Sequence, residues 1–188
     1  MIYDEIKEYP LANIVRVEVE TEEETPKGYK LTDVASEATV AAYISEGAQN
    51  PLRVKNTIKA QNNFEDIVMG YDITLINATM VPEVLALVDG GTLRYDDLET
   101  EKVVGYDAPP IGETVERKPY TLHIYTEEKD VNGDTIGYVR FSYLHCKGAP
   151  LDYSMQDGEF FTPEMKMKSR PKKGESPASI DFLEELPA

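Results

Sequence analysis

The residues with the greatest catalytic potential are the adjacent His145 and Cys146, because an imidazole beside a thiol can act as its general base. Both lie in a segment that alternates like a β-strand, where neighbouring side chains point to opposite faces. Side chains on opposite faces do not act easily on one substrate, so the pattern favours a half-buried histidine and a small apolar cysteine. The sequence contains no glycine-rich phosphate loop, zinc-binding motif or serine hydrolase motif. We therefore predict a protein that is not an enzyme, with no catalytic residue, cofactor or metal site.

Two rows of like charge, each with a spacing of two residues, are the other candidates for function. Residues two apart lie on the same face of a β-strand, so each row defines a charged stripe. The rows consist of Glu18, Glu20 and Glu22 on the acidic side and Lys166, Lys168 and Arg170 on the basic side. Each stripe is either a solvated face or a contact surface, and we predict that the basic stripe meets an acidic row on the same chain or on a neighbour.

Charge and composition exclude several classes of protein. The chain has 188 residues, with 19 basic and 35 acidic side chains and a net charge of −16, which disfavours binding to nucleic acid or anionic lipid. No apolar stretch approaches the roughly 20 residues that span a bilayer, and the acidic first ten residues predict no secretory signal. The single cysteine fits synthesis in a reducing compartment such as the cytoplasm.

Short strands dominate the predicted secondary structure. Alternating patterns predict strands at 14–20, 39–45, 52–60, 71–77 and 178–182, and a hairpin with a tight turn at Asn132–Gly133. In that hairpin we expect Tyr120 to lie opposite His145 and Leu122 opposite Tyr143. One short helix is predicted at about 81–89, with proline in its first turn and two glycines after its end. Eight to ten short strands and one helix predict a mainly β protein, an antiparallel β-sandwich or rolled barrel, in one domain over 1–188.

Four segments resemble the tail tube (major tail) proteins of tailed phages and prophages of Gram-positive bacteria. They are GYDITLINATMVPEVLALVDGGTL, KVVGYDAP, RKPYTLHIYTEEKDVNGDTIGYVRFSYLHCKG and DGEFFTPEMKMKSRPKKGESPASIDFLEELP. The resemblance lies in the order of these segments and in their residue sequences, and it spans roughly residues 47–187. It implies a β-sandwich or rolled barrel with one packed helix, six copies of which form a ring. Stacked rings would form the hollow tube through which DNA leaves the virion without being tightly bound.

The resemblance also implies roles for particular residues and partners. The charged rows become candidates for subunit contacts or for the lumen of the tube, and residues 47–63 become a candidate projecting loop or hairpin that bridges subunits or rings. The partners would be further copies of the chain and other tail proteins, namely the tape measure, the terminator and the distal tail or baseplate proteins. The protein would be made in the host cytoplasm and reside in the virion tail. Two alternatives stay open: a β-sandwich binding module for carbohydrate or virion decoration, and the tube of a contractile bacteriocin-like particle.

Overall fold

The computed structural model describes residues 6–32, 37–96 and 102–187 of the chain. These residues form twelve strands and one helix. The elements are β1 (Leu11–Thr21), β2 (Gly28–Leu31), β3 (Glu37–Ser45), β4 (Gln49–Val54), β5 (Thr57–Asn63), β6 (Ile67–Ile76), α1 (Pro82–Asp89), β7 (Thr92–Tyr95), β8 (Val103–Asp107), β9 (Tyr120–Lys129), β10 (Thr135–Gly148), β11 (Glu164–Ser169) and β12 (Ala178–Leu183).

One antiparallel sheet folds over on itself to enclose the core. Its strands run in the order β2-β1-β9-β10-β11-β6-β3, and β12 also pairs with β10. Strand β10 pairs with β12 over Tyr138–Tyr143 and with β11 over Cys146–Gly148, so its partner changes along its length. Apolar side chains from β1, β9 and β10 meet those of β6 and β11 in the interior. The predicted mainly β, antiparallel sandwich with one short helix is confirmed, and the described strands do not close into a barrel.

The helix begins and ends where the sequence predicts. Pro82 stands in the first turn, and Gly90 ends the helix in the left-handed conformation with φ 84°. Val84 and Val88 are buried in the core, four residues apart on one face. The helix approaches β10 closely at Gly148, where an added Cβ would lie 2.0 Å from the carbonyl oxygen of Val88. Glycine at this position therefore allows the helix to pack against the sheet.

The β9–β10 hairpin forms as predicted, with two differences in detail. Leu122 lies opposite Tyr143, but Tyr120 lies opposite Cys146 and not His145, because a bulge inserts one residue after Tyr143. His145 adopts a φ of 49° in this bulge, and Cys146 turns into the core. The turn is also longer than predicted, since residues 131–133 loop out and Gly133 takes a left-handed φ of 88°.

The prediction of one continuous strand over 52–60 is wrong. The segment contains a two-residue turn at Lys55–Asn56, and β4 pairs with β5 as a hairpin in which Val54 lies opposite Thr57. Lys55 has a φ of 54°, a conformation that turns usually assign to glycine or asparagine. Because lysine is not a typical residue at this position, only Asn56 marks the turn locally, and asparagine alone does not separate a turn from a strand.

Candidate assembly surfaces

The acidic row runs along the outer face of β1 and ends at Glu22, just after the strand, and two of its members are held within the subunit. Glu18 Oε1 lies 3.1 Å from Arg16 Nε, and Glu18 Oε2 accepts a hydrogen bond of 2.7 Å from the Tyr125 hydroxyl. Glu22 Oε1 accepts hydrogen bonds of 3.0 Å from Thr121 Oγ1 and 2.9 Å from the backbone N–H of His145. These contacts connect β1 to β9 and β10.

Glu20 differs from the other two members of the acidic row. Its side chain is exposed and has no hydrogen bond or ion pair to another described residue. It lines an outer groove of about 350 Å³ together with Glu18, Lys30, His123 and Arg140. Burial, assisted by the charge of Arg140, lowers the pKa of His123 and so favours the neutral imidazole in this groove. Glu20 is therefore the member of the row best placed to meet another molecule.

The basic row is also divided. Lys166 Nζ lies 2.9 Å from Asp152 Oδ2, and this hydrogen bond raises the pKa of the lysine. Arg170 follows the end of β11, donates a hydrogen bond of 2.8 Å to the carbonyl oxygen of Tyr71 and stacks over the ring of Tyr43 at 4.1 Å. Lys168 alone is exposed, and its side chain has no hydrogen bond or ion pair to another described residue.

The two rows do not face each other within the subunit. Strands β9 and β10 separate β1 from β11 in the sheet, so the charges opposite the basic row come from other residues. Lys166 pairs with Asp152 and Glu164, and Arg170 pairs with Asp72. That the rows meet between neighbouring subunits stays a prediction, and Glu20 and Lys168 are the members with free charge for it.

The most accessible sheet edge is strand β3. It stands at the end of the strand order, and no described strand pairs with its outer side. Over nine residues its only charged side chain is Glu37 at the first position, while Val40, Tyr43 and Ile44 are all exposed by more than a third. A long, apolar edge without lysine or proline is a template for pairing with another strand. The opposite end of the sheet is β2, which has only four residues and carries Lys30.

The β4–β5 hairpin, which we call the arm, makes no buried contact with the rest of the described chain. Every residue from Gln49 to Val54 and from Thr57 to Asn63 is exposed. Nevertheless, Leu52, Val54 and Ile58 are large apolar residues. The arm thus exposes apolar surface that the subunit does not cover, a feature typical of interaction sites.

An apolar groove of about 760 Å³ lies beside helix α1, and we call it the α1 groove. Its apolar walls are formed mainly by residues from the loops at 108–117 and 150–161 and by the helix itself. They include Met80, Leu85, Pro109, Ile111, Met155 and Phe161. Several of these side chains are exposed, Ile111 completely. The groove was not predicted, because its walls come from loops that are distant in the sequence.

A buried carboxylate organises the polar end of the α1 groove. Asp89 accepts hydrogen bonds from the Tyr106 hydroxyl and, at 3.3 Å, from the backbone N–H of Leu151, and the Arg117 guanidinium lies 3.8 Å away. Burial, together with the hydrogen bond to Asp89, raises the pKa of Tyr106 above its ordinary value. An acidic residue in the last turn of a helix is unfavourable for the helix dipole, so Asp89 was the available sequence signal for a nearby cation.

The His145–Cys146 pair is not arranged for catalysis. Cys146 is fully buried, with its Sγ 3.4 Å from the carbonyl oxygen of Tyr143, whereas His145 points outward to Glu22 and Glu175. Burial raises the pKa of the Cys146 thiol to about 12. Among the described residues, no group of three or more histidine, cysteine, aspartate or glutamate side chains could hold a metal ion. No helix in the described ranges is long and apolar enough to cross a membrane.

The burial of Cys146 makes its reactivity a test of the core. We expect native protein at pH 8 to react with a thiol reagent orders of magnitude more slowly than urea-unfolded protein, because the thiol is both inaccessible and protonated. The measurement is the rate of alkylation followed by mass spectrometry. A Val131→Cys variant, with a thiol at a fully exposed turn position, provides the control for rapid labelling. Equal labelling rates at positions 131 and 146 would contradict this packing.

Comparison with known proteins identifies no family. No family model matches the chain, and no curated protein matches it. Among solved structures, one match is to a chain in the cryo-EM structure of the anti-feeding prophage (AFP) baseplate, 6-fold symmetrised, with 8% sequence identity and a TM-score of 0.43. The match covers 97% of this chain and 97% of that chain.

Proposed function

We propose that the protein is a non-catalytic structural subunit of a phage tail tube. In this proposal, six copies form a ring, and rings stack into a hollow conduit for DNA. The observation that carries the proposal is the exposed edge of β3, nine residues long and almost free of charge. The sequence resemblance described above gives the proposal its particular form.

The edge of β3 supports assembly because its outward backbone N–H and C=O groups can pair with a strand of another copy. A ring needs a contact between two different surfaces of the subunit, repeated until the rotation closes. Strand β3 provides one surface, and the other end of the sheet or strand β12 provides the second. Each subunit would then extend the sheet of its neighbour around the ring.

The arm supports stacking of the rings. It lies outside the core and exposes apolar side chains that a single subunit leaves in water. Burying apolar surface stabilises an association by about 25 cal/mol per Å², so a neighbour that covered the arm would gain stability. We propose that the arm bridges adjacent subunits or rings, and that tape measure, terminator and distal tail or baseplate proteins meet the ends of the tube.

The charge of the protein supports a conduit that does not retain DNA. With a net charge of −16 per copy, part of the acidic surface would face the lumen and repel phosphate groups. This repulsion extends over about 8 Å at physiological salt. Of the sequence-predicted residues, Glu20 is the one available either for such a surface or for the contact with Lys168 of a neighbour, because its carboxylate is not held by another described residue.

Sedimentation velocity of the purified protein tests the proposal. We expect species of six copies and multiples of six to grow with protein concentration, because edge pairing is an association equilibrium. The same species should show no affinity for duplex DNA in moderate salt. Sedimentation only as a monomer at concentrations up to the millimolar range, or tight DNA binding, would contradict the proposed role.

A further inference from the structure

The tip of the arm has a charge opposite to that of the protein as a whole. Between Gln49 and Asn63 the arm carries Arg53, Lys55 and Lys59 and no acidic residue, whereas the whole chain has a net charge of −16. Such a cluster favours an acidic partner, and a second copy of the chain is acidic as a whole, with 35 acidic and 19 basic side chains. The charge pattern therefore indicates contact with another copy of this chain.

The apolar residues of the arm tip lie on both of its faces. Val54 lies opposite Thr57 and Arg53 lies opposite Ile58, so Val54 and Ile58 point to opposite sides of the hairpin. A hairpin that lay flat on a partner would need only one apolar face. Apolar residues on both faces fit an element that is inserted into a groove and is contacted from two sides.

The α1 groove has the complementary character. Its walls are apolar, and the two loops that form them carry exposed acidic residues between the wall residues. Glu113 and Glu116 flank the wall residue Val115, and Asp157 and Glu159 stand between the wall residues Met155 and Phe161. We call these four exposed carboxylates of the wall loops the acidic rim; Arg117, which also lines the groove, lies against Asp89. The rim and the apolar walls match a hairpin tip that is apolar and basic. The volume of about 760 Å³ leaves room for more than one aliphatic side chain.

We propose that the arm tip of one copy inserts into the α1 groove of a second copy, with Leu52, Val54 and Ile58 against the walls and the basic residues against the acidic rim. The arm does not occupy the groove of its own chain, because all of its strand residues are exposed. The inference rests on the proposed function insofar as it names the surface that receives the bridging arm. It is independent of the β3 edge contact, which lies on other strands.

Disulfide trapping tests this contact directly. Two variants, Ile58→Cys at the arm tip and Ile111→Cys in the groove wall, are mixed and oxidised, and mixed dimers are counted by mass spectrometry. We expect at least about tenfold more 58–111 dimer than in the control mixture, because docking raises the effective concentration of the two thiols. The control pairs Ile111→Cys with Val131→Cys, which places an exposed thiol at the tip of the β9–β10 hairpin. The native Cys146 is buried and does not compete.

Charge reversal separates docking from random collision. Adding Arg53→Glu, Lys55→Glu and Lys59→Glu to the Ile58→Cys variant should reduce the 58–111 dimer to the level of the control. Adding Glu113→Lys, Glu116→Lys and Asp157→Lys to the Ile111→Cys variant should restore it. A yield equal to the control with the unreversed pair would overturn the inference. If hexameric species still sediment in that case, the proposed tube function stands while the groove contact fails, and if only monomers sediment, both fail.

Discussion

Lysine at positions 39 and 41 is expected to turn an assembling protein into a monomer. The neighbouring side chains of Ala38 and Val40 line an opening of the core beside Ile14, so Thr39 and Ala41 point away from it. Lysines on this outer face would guard the edge of β3, as they do in natural sheets that avoid edge pairing. Each added strand would bring two positive charges to the contact between neighbours. We expect the Thr39→Lys/Ala41→Lys variant to show no hexameric species at concentrations at which the unmodified protein forms them.

The control for this variant makes the same charge change elsewhere and leaves the edge of β3 unaltered. Val131→Lys/Asn132→Lys adds two lysines to the exposed turn of the β9–β10 hairpin, which no strand pairing requires. The free energy of unfolding of both variants should lie within about 0.5 kcal/mol of that of the unmodified protein, because surface substitutions seldom change stability by more. If the β3 variant assembles as well as the turn variant does, β3 is not the edge that joins subunits.

Truncating Leu122 in β9 is expected to lower the free energy of unfolding far more than truncating Leu52 in the arm. Leu122 has no exposed surface and lies opposite Tyr143 in the centre of the core. Leu122→Ala should lower the free energy of unfolding by about 2–5 kcal/mol, since a buried leucine leaves a cavity that its neighbours fill only in part. The measurement is the urea midpoint of the unfolding transition, followed by circular dichroism.

Leu52→Ala is the matched control, because it makes the same chemical change in the arm, where Leu52 is 60% exposed. We expect it to change the free energy of unfolding by less than about 0.5 kcal/mol and to weaken assembly instead. Equal destabilisation by the two substitutions would show that the arm packs on the body of the subunit. That result would contradict the description of the arm as a free element.

Local signals made part of the fold predictable. The α1 helix has proline at its start and Gly90 after its end, and both act within one turn of the helix. The β9–β10 hairpin carries alternating apolar residues and an Asn132–Gly133 turn, and its pairing from Gly137 to Tyr143 follows the prediction. The prediction failed at His145, where a bulge allows both Tyr143 and Cys146 to face the core. An alternation of apolar and polar residues assumes a regular strand, so it cannot show where a bulge adds one residue to that strand.

The candidate surfaces were less predictable, because they depend on contacts between distant residues. The rows of Glu18–Glu22 and Lys166–Arg170 were visible as patterns, but the sequence could not show that Tyr125, Asp152 and Tyr43 engage some of their members. Likewise, the walls of the α1 groove come from loops about forty residues apart. The exposed edge of β3 follows from the order of strands in the sheet, which no local pattern determines.

Electron microscopy of the concentrated, negatively stained protein tests the central claim most directly. The account predicts rings with sixfold symmetry and hollow tubes built from them, because the edge of β3 and the arm each leave surface that the subunit itself does not cover. The same grid should show neither rings nor tubes for the Thr39→Lys/Ala41→Lys variant. Separate, featureless particles of a single subunit, over the same range of concentration and salt, would contradict the account and favour a monomeric binding module.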